Sequence, residues 1–387
     1  MKSIKLITAV SLMLLFSTIS AQTRSNKKDS KYAFTIEKEV IASDVKNQGA
    51  TGTCWSFSSM SFLESELERM GKGKISLSEM YIARKAYEMK AEKYMRMMGK
   101  TNFSQGGAFH DVMNVIRAHG IVPRSEYSGL IYNQERFHHS EMEKVLTDLL
   151  NTSLQLNEGH LNPAWRPALI SILDAYLGKM PESVKAGSKS ISPKEYASSI
   201  GINPDDYIEI SSFTHHPFYT QFVLEVPDNW AWNLVHNVPL NEMAAIMENA
   251  IKNGYTVAWA ADVSEKGFSH KNGLAIVPEG NWDSMSKEER EKAFNEPVKQ
   301  KVITQKMRQD AFDNLSTQDD HGMHITGMAK DQNGTRYYIV KNSWGDESND
   351  NGGYFYCSES YLLYKTTCIM VHKKAIPAEI AAKLGIK

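Results

Sequence analysis

The chain has 387 residues, of which 42% are hydrophobic and 23% are charged, values typical of a globular protein that can bury a substantial core. The formal net charge is −1, and nothing in the charge pattern resembles a basic nucleic-acid footprint or an acidic tail. We therefore expect no nucleic-acid partner.

The beginning of the chain differs in character from the rest. Lys2 and Lys5 precede an apolar run at 6–16, and small residues follow. This order predicts a signal peptide over residues 1–21, because the apolar run is too short to serve comfortably as a membrane anchor. We therefore expect an exported protein, periplasmic or secreted, that has no membrane attachment after cleavage. The polar residues 22–35 predict a flexible leader.

Periodic apolar residues and the glycines that end them predict most of the secondary structure. Helices are predicted at about 55–70, 78–98, 108–119, 140–154, 162–177, 192–200 and 239–252. Strands are predicted at about 218–226, 255–263, 324–329, 336–341, 353–357 and 366–371, and 36–45 is expected to be extended. The charged residues 280–315 predict a loop with a surface helix. Because helices come first and a strand-rich part comes last, we expect an α+β fold with two lobes.

The chain contains three cysteines, Cys54, Cys357 and Cys368. An odd number in an exported protein leaves at least one thiol without an intrachain partner, so no disulfide framework is predicted. Cys357 and Cys368 either bridge two neighbouring strands or are both buried as small hydrophobic residues, and we favour the second interpretation. Cys54 is then the unpaired thiol.

Cys54 stands at the predicted start of a helix, directly after the glycine-containing segment 48–53. Free N–H groups and the helix dipole favour an anion at such a position, which predicts a lowered pKa for the thiol. Gln48 precedes Cys54 by six positions, and its side-chain amide can donate to an oxyanion together with the Cys54 backbone N–H. The alternative is a buried structural cysteine, which is the commoner situation for a lone cysteine.

A thiol nucleophile needs a base and a group that orients the base. His321 precedes a predicted strand, and Asn342 ends the next strand, where its carboxamide oxygen can accept a hydrogen bond from an imidazole. Trp344 can shield that bond from water. His324 competes with His321 for the role of base, but it falls within the strand, whereas catalytic residues more often stand at loop mouths. We therefore interpret His324 as structural.

These positions follow one another in an order that is known from a protein family. Gln48, Cys54-Trp55, His321 and Asn342-Ser343-Trp344-Gly345 resemble the motifs of papain-like cysteine peptidases. The resemblance implies that Cys54 attacks the scissile carbonyl and that His321 is its imidazolium partner. It also implies that Asn342 orients the imidazole and that Gln48 helps to form the oxyanion hole.

Gly106 and Gly107 resemble the glycine pair that lines the substrate backbone in this family. An exposed backbone edge at Gly107 can pair with an extended peptide, although a simple loop before a helix is the alternative. These two glycines and Trp344 are the predicted substrate-binding residues, and a peptide is the expected partner.

The spacing of the motifs indicates a branch of the family. His321 lies 267 positions after Cys54, whereas the ordinary papain signature places this histidine about 130–150 residues downstream. An insertion of this size, at about 130–235, resembles the bleomycin hydrolase and aminopeptidase C branch. The resemblance implies a papain-like peptidase domain over 36–375, with a helical lobe and an antiparallel β-barrel-like lobe. It also implies a homo-hexamer.

A short C-terminal tail, 376–387, follows the predicted peptidase domain. In the branch that this sequence resembles, the C-terminus usually enters the active-site cleft and limits cleavage to N-terminal residues, and a terminal carboxylate suits a free amine. We expect a cysteine aminopeptidase that acts by thiolate acyl transfer. The alternatives are an endopeptidase with an unblocked cleft and an inactive papain-fold binding module.

No cofactor is expected. The cysteines and histidines show no paired ligand spacing, so no metal site is predicted.

Overall fold

The structure, a computed structural model, describes residues 23–156 and 159–386. The predicted signal peptide therefore lies outside the described residues. Within the described ranges, no helix has both the length and the apolar character that crossing a membrane requires.

Helices and strands together confirm the predicted α+β class. The α-helices are α1 Cys54–Arg69, α2 Glu79–Arg96, α3 Phe109–His119, α4 Ser140–Gln155, α5 Trp165–Leu177, α6 Pro193–Ile200, α7 Leu240–Lys252, α8 Lys287–Ala293, α9 Gln305–Asp313, α10 Glu359–Lys365 and α11 Ala378–Lys383. The strands are β1 Thr23–Arg24, β2 Phe34–Glu39, β3 Val184–Ala186, β4 Lys189–Ile191, β5 Tyr207–Ser211, β6 Gln221–Val223, β7 Leu234–Asn237, β8 Val257–Ala261, β9 Phe268–Ser269, β10 Leu274–Ala275, β11 His321–Lys330, β12 Arg336–Lys341, β13 Tyr354–Ser358 and β14 Thr366–His372.

The predicted helices between 55 and 252 are all present, with bounds that differ by at most three residues. Strand β6 is shorter than the strand predicted at 218–226, and His321 is the first residue of β11 instead of preceding the strand. Elements that the sequence did not predict include β5, β7, α10 and α11. These elements are short, and the two strands depend on pairing with partners that are distant in sequence.

Most strands form one twelve-stranded sheet in the order β6-β7-β5-β14-β8-β11-β12-β13-β10-β9, and β2 pairs with both β1 and β11. All pairings in this sheet are antiparallel except β5 with β7 and β10 with β13. Strands β5 and β6 lie within the predicted insertion, 130–235, and β7 begins at its end. This segment therefore extends the main sheet.

The two central strands β8 and β11 lie between α1 and α7. Successive side chains of a strand point to opposite faces, so Ala258 of β8 belongs to the core with α1 and Trp259 belongs to the core with α7. Gly322 lets β11 approach the start of α1 closely, since a Cβ there would lie 3.1 Å from the Trp55 Cα. This packing places the beginning of α1 beside the beginning of β11.

Residues 23–35 are packed on the body, which corrects the prediction of a flexible leader. Strand β1 pairs with β2, and the fully buried Asn26 side chain donates hydrogen bonds to two backbone carbonyls at 2.7 and 3.0 Å. Tyr32 and Phe34 are buried in a core with Tyr337. The polar composition of the segment concealed these buried side chains.

The C-terminal segment packs against α7, on the side of the sheet opposite α1. Ile376 and Ile380 are buried in the core that α7 shares, and Lys383 donates to Glu242 of α7 at 2.6 Å. Residues 376–386 thus contact the face of the sheet that does not carry Cys54.

Candidate active site

Cys54 and His321 line one cavity, at the junction of α1 and β11. The loop before α3 contributes Gly107, strand β14 contributes Cys368, and the segment before β7 contributes Asp228. The thiol and the imidazole that the sequence predicted therefore line the same cavity, although 267 positions separate them along the chain.

His321 is held by Asn342. Its Nε2 lies 2.8 Å from Asn342 Oδ1, which also accepts a hydrogen bond from the Ser343 backbone N–H at 2.8 Å. Because Oδ1 can only accept, the His321 proton is on Nε2. The other ring nitrogen, Nδ1, is then free to accept a proton.

His270 contacts the opposite side of the same amide, and sequence reasoning did not identify it. Asn342 Nδ2 donates to His270 Nδ1 at 3.2 Å, and His270 Nε2 donates to Ser348 Oγ at 2.8 Å. Burial lowers the pKa of His270 to about 4, so its ring is a neutral acceptor at physiological pH. His270 and the Ser343 N–H therefore act together to fix which end of the Asn342 amide faces His321. No recognised motif includes this residue.

The Trp344 indole covers both histidines. Its ring centroid lies 4.8 Å from that of His321, with the planes 27° apart, and 4.8 Å from that of His270 in an edge-on arrangement. Trp344 itself does not line the cavity. Its ring is stacked on that of His321, and both the shielding of the His321–Asn342 bond and a direct substrate contact stay predictions.

Gln48 is tied to the Asn342 loop. Its Oε1 accepts from Ser343 Oγ at 2.6 Å, and its Nε2 donates to the Thr51 carbonyl at 2.7 Å. A primary amide carries two N–H protons, so one proton of Nε2 has no acceptor among the described residues. This proton is the group that could serve the predicted oxyanion hole.

Gly106 and Gly107 lie beside the cavity, but only Gly107 lines it. A Cβ on Gly107 would come within 2.9 Å of the Trp55 ring, so a larger residue does not fit there. The fully buried Lys90 donates to the carbonyls of Ser104 and Gly106 and thereby anchors this loop. Lys90 is a second residue that sequence reasoning missed.

The electrostatics of the thiol differ from the expectation. Burial raises the pKa of the Cys54 thiol to about 12, and the charges of Asp228 and Asp319 act in the same direction. The backbone N–H groups of Gly322 and Trp55 oppose this shift without cancelling it. The predicted lowering of the pKa is therefore wrong for the isolated thiol, because desolvation outweighs the helix start.

Burial also lowers the pKa of His321, while the bond to Asn342 acts in the opposite direction. His324 lies within β11, outside the cavity, and its Nδ1 is 2.9 Å from Ser61 Oγ of α1. This position agrees with the structural role that the sequence analysis gave it.

Cys357 and Cys368 are both free and buried, as the favoured interpretation of the sequence expected. Cys357 lies in β13 and packs with the α7 core, whereas Cys368 lies in β14 and faces the cavity.

His215, His216 and Glu225 form a cluster with metal-ligating atoms within 4.8 Å of one another. Gln309 Nε2 lies 3.0 Å from His215 Nδ1, so the proton of His215 is on Nε2, which donates to Glu225 at 3.0 Å. His216 Nε2 lies 2.7 Å from the other oxygen of Glu225. These hydrogen bonds account for the cluster without an ion, and none of the three residues lines the cavity.

Known proteins that resemble this chain are peptidases, and the resemblance extends over most of its length. The model of the Peptidase C1-like family matches residues 182–386, and the model of the papain family cysteine proteases matches residues 31–160. The chain is 23% identical to aminopeptidase W of Lactobacillus delbrueckii subsp. lactis, with 89% of this chain and 84% of that protein covered. It is 22% identical to aminopeptidase C of Listeria monocytogenes, with 88% and 83% covered.

A solved structure of PepW from Lactobacillus rhamnosis has the same fold, with a TM-score of 0.71, 19% identity, and coverage of 91% of this chain and 84% of that one. The fold and the cavity thus define a papain-like cysteine peptidase. The chain belongs to the Peptidase C1-like family.

Proposed function

We propose that this cysteine peptidase is an aminopeptidase with Cys54 as the nucleophile and His321 as the general base and acid. The observation that carries the proposal is the cavity that Cys54 and His321 share, together with the bond by which Asn342 holds His321 Nε2 at 2.8 Å and leaves Nδ1 as the free ring nitrogen. A histidine fixed in this tautomer can take the thiol proton on Nδ1 without losing its orienting bond.

The proposed reaction is acyl transfer. The Cys54 proton moves to His321 Nδ1, which places two opposite charges in one cavity, and their attraction offsets the burial cost of each. The thiolate attacks the scissile carbonyl, and the oxyanion accepts hydrogen bonds from the Cys54 N–H and the remaining Gln48 Nε2 proton. His321 then gives its proton to the leaving amine, and water hydrolyses the thioester to release the acyl group.

The roles proposed for Gly106, Gly107 and Trp344 follow from their places around this centre. Gly107, which follows Gly106 on the same loop, would align the substrate backbone along the cavity wall. Trp344 would keep water away from the His321–Asn342 hydrogen bond.

An endopeptidase is the second candidate, and the position of the C-terminal segment favours it. Residues 376–386 contact α7, so they do not close the cavity in the way the resemblance implied. Comparison of a free peptide with its N-acetylated form separates the two candidates, because an aminopeptidase requires the free amine.

Replacement of Cys54 by Ala tests the chemistry. We expect turnover of peptide substrates to fall to background while the thermal unfolding temperature stays close to that of the parent enzyme. Cys357→Ala is the matched control, because it removes a thiol that is buried outside the cavity, and it should retain activity. Turnover by the Cys54→Ala enzyme would rule out the mechanism.

We also propose that residues 1–21 direct export. The first described strand begins at Thr23, so cleavage after Ala21 would remove no described element of the fold. N-terminal sequencing of the protein from outside the cytoplasm should begin at Gln22. The homo-hexamer implied by the resemblance is likewise a proposal, and analytical ultracentrifugation that finds only monomers would contradict it.

A further inference from the structure

The cavity beside Cys54 carries more negative charge than its own residues neutralise. Asp228, Asp319, Asp320 and Glu209 all line it, and His110 is the one cation facing them among the lining residues besides the candidate base. A cavity of this kind favours a cationic group in a bound substrate.

Two of these carboxylates already have partners. Glu209 Oε2 lies 2.8 Å from His110 Nδ1, and although burial disfavours the charged ring, the charges of Glu209 and Asp111 raise the pKa of His110 to about 9. Asp320 accepts from the Val263 N–H at 3.1 Å and from a serine hydroxyl at 2.7 Å. Asp228 and Asp319 have no such partner among the lining residues; burial raises the pKa of Asp228, and the charge of the nearby Lys90 opposes this shift.

Asp228 lies directly against Gly106, one of the two predicted substrate-binding glycines. A Cβ on Gly106 would fall 2.0 Å from Asp228 Oδ2, so the carboxylate occupies the space beside that glycine. Its Oδ1 accepts one bond, from Asn102 Nδ2 at 3.1 Å, and its Oδ2 accepts none from the described residues. The nearby Lys90 ammonium donates instead to the backbone carbonyls of Ser104 and Gly106.

Asp319 stands two residues before His321 and has only a long contact, 3.5 Å, from Thr367 Oγ1. Burial raises the pKa of Asp319 to about 7, and the charge of Asp228 adds to the shift. The two carboxylates are therefore near enough to repel each other. A cation between them would relieve this repulsion.

A separate observation points to a missing polar ligand at the same place. The Glu209 side chain is more than nine-tenths buried and lines the cavity, yet its Oε1 has no hydrogen-bond partner. His110 Nε2 likewise makes no hydrogen bond, and its nearest charged partner is Asp111 Oδ1 at 3.7 Å. Buried polar atoms without partners are uncommon in folded proteins, and a polar group of a ligand can satisfy them.

We propose that Asp228, assisted by Asp319, binds the α-ammonium group of the N-terminal residue of a peptide substrate. Given the proposed thiol chemistry at Cys54, this contact selects free N-termini, and the carboxylate beside Gly106 stops a longer chain from continuing along the cavity. Asp228, the residue proposed to select free N-termini, comes from the segment 130–235. The C-terminal segment 376–386 lies on the other side of the sheet.

The test compares an aminoacyl methylcoumarylamide that has a free amine with its N-acetylated form, on the full-length enzyme and on Asp228→Asn. We expect kcat/KM for the free amine to fall about tenfold to a hundredfold, since a hydrogen bond between charged groups is lost. Turnover of the acetylated substrate should stay the same or rise. Asp319→Asn should change the ratio of the two substrates in the same direction, by a smaller factor.

Glu225→Gln is the matched control, because Glu225 is a carboxylate of the same segment that does not line the cavity, and it should leave the ratio unchanged. Labelling of Cys54 by iodoacetamide at an unaltered rate in Asp228→Asn would show that the thiol site is intact. If Asp228→Asn lowers the turnover of both substrates equally, or leaves their ratio unchanged, the inference is wrong while the peptidase stands. If the parent enzyme cleaves neither substrate, the proposed function fails and this inference fails with it.

Discussion

Asn342 Nδ2 lies 3.2 Å from His270 Nδ1, while Asn342 Oδ1 lies 2.8 Å from His321 Nε2. One amide thus joins two histidines of opposite roles, a neutral acceptor and a candidate base. Without His270, rotation of the amide by a half turn would place Nδ2 against the Nε2 proton of His321, where two donors would face each other.

We therefore predict that His270→Phe lowers kcat about fivefold, the equivalent of one hydrogen bond of about 1 kcal/mol, with little change in KM. His270→Gln should restore part of kcat, because its side-chain oxygen can accept from Asn342. His236→Ala is a control at a histidine of β7 outside the cavity. A rise in KM with unchanged kcat in His270→Phe would contradict the positioning role.

Removal of His321 should isolate the thiol in its buried surroundings. Because burial raises the pKa of Cys54 to about 12, we predict that His321→Ala slows alkylation of Cys54 by iodoacetamide at pH 7 at least a hundredfold, and that the rate then rises steadily with pH. The measurement is the rate of carboxamidomethylation followed by mass spectrometry. His138→Ala, at an exposed histidine, is the control. Equal rates at pH 7 for the parent enzyme and His321→Ala would show that the thiolate does not depend on this imidazole.

Gln48→Ala tests the proposed oxyanion hole. We predict that kcat falls by roughly two to three orders of magnitude, the usual cost of removing one such donor. The rate of Cys54 alkylation should change little, because iodoacetamide forms no tetrahedral oxyanion. Parallel losses in turnover and alkylation would indicate that Gln48 acts on the loop through Ser343 and not on the transition state.

Asp319 links pH to stability. Its pKa is raised to about 7 in the folded protein by burial and by Asp228, compared with about 3.8 for an exposed aspartate, so the folded state binds the extra proton between these values. Stability should therefore decline as pH rises from about 4 to 7. Asp320 adds to the shift, His110 opposes it, and Thr367 donates to the carboxylate.

We predict that Asp319→Asn raises the free energy of unfolding by about 2 kcal/mol at pH 8 and by much less at pH 5. Urea unfolding at the two pH values measures this difference. Asp313→Asn, at an exposed position of α9, is the control. A gain of equal size at both pH values would contradict a buried, proton-linked carboxylate.

The residues that carry the proposed chemistry were predictable because that chemistry requires particular types of side chain. A thiol at a helix start, an imidazole and a carboxamide can be recognised in the sequence by type and order, and the structure brings Cys54 and His321 into one cavity. The direction of the thiol pKa was not predictable, because desolvation depends on packing from distant segments. Asp319 was not singled out, although it lies two residues before His321. Asp320 is adjacent to it, and nothing in the sequence shows which of the two aspartates is the more important.

Residues that act across long sequence separations were missed. His270 contacts Asn342 across 72 positions, and Asp228 belongs to a segment with no recognisable motif. Tyr32 and Phe34 were hidden in a polar stretch for the same reason, since the core that buries them is built from β10, β12 and β13. Local patterns report periodicity and caps, and they carry no information on which distant side chain completes a contact.

The C-terminal segment offers a final prediction, because its described residues serve the core instead of the cavity. Ile380 is 6% exposed and packs with α7, so Ile380→Ala should lower the free energy of unfolding by about 2–4 kcal/mol through lost contacts and a cavity. The preference for free over N-acetylated substrates should not change, because that preference is proposed to depend on Asp228. Glu379→Ala, at an exposed neighbour in the same helix, should alter neither quantity. If Ile380→Ala leaves stability intact but admits N-acetylated substrates, the segment controls access to the cavity and its packing on α7 does not describe the active enzyme.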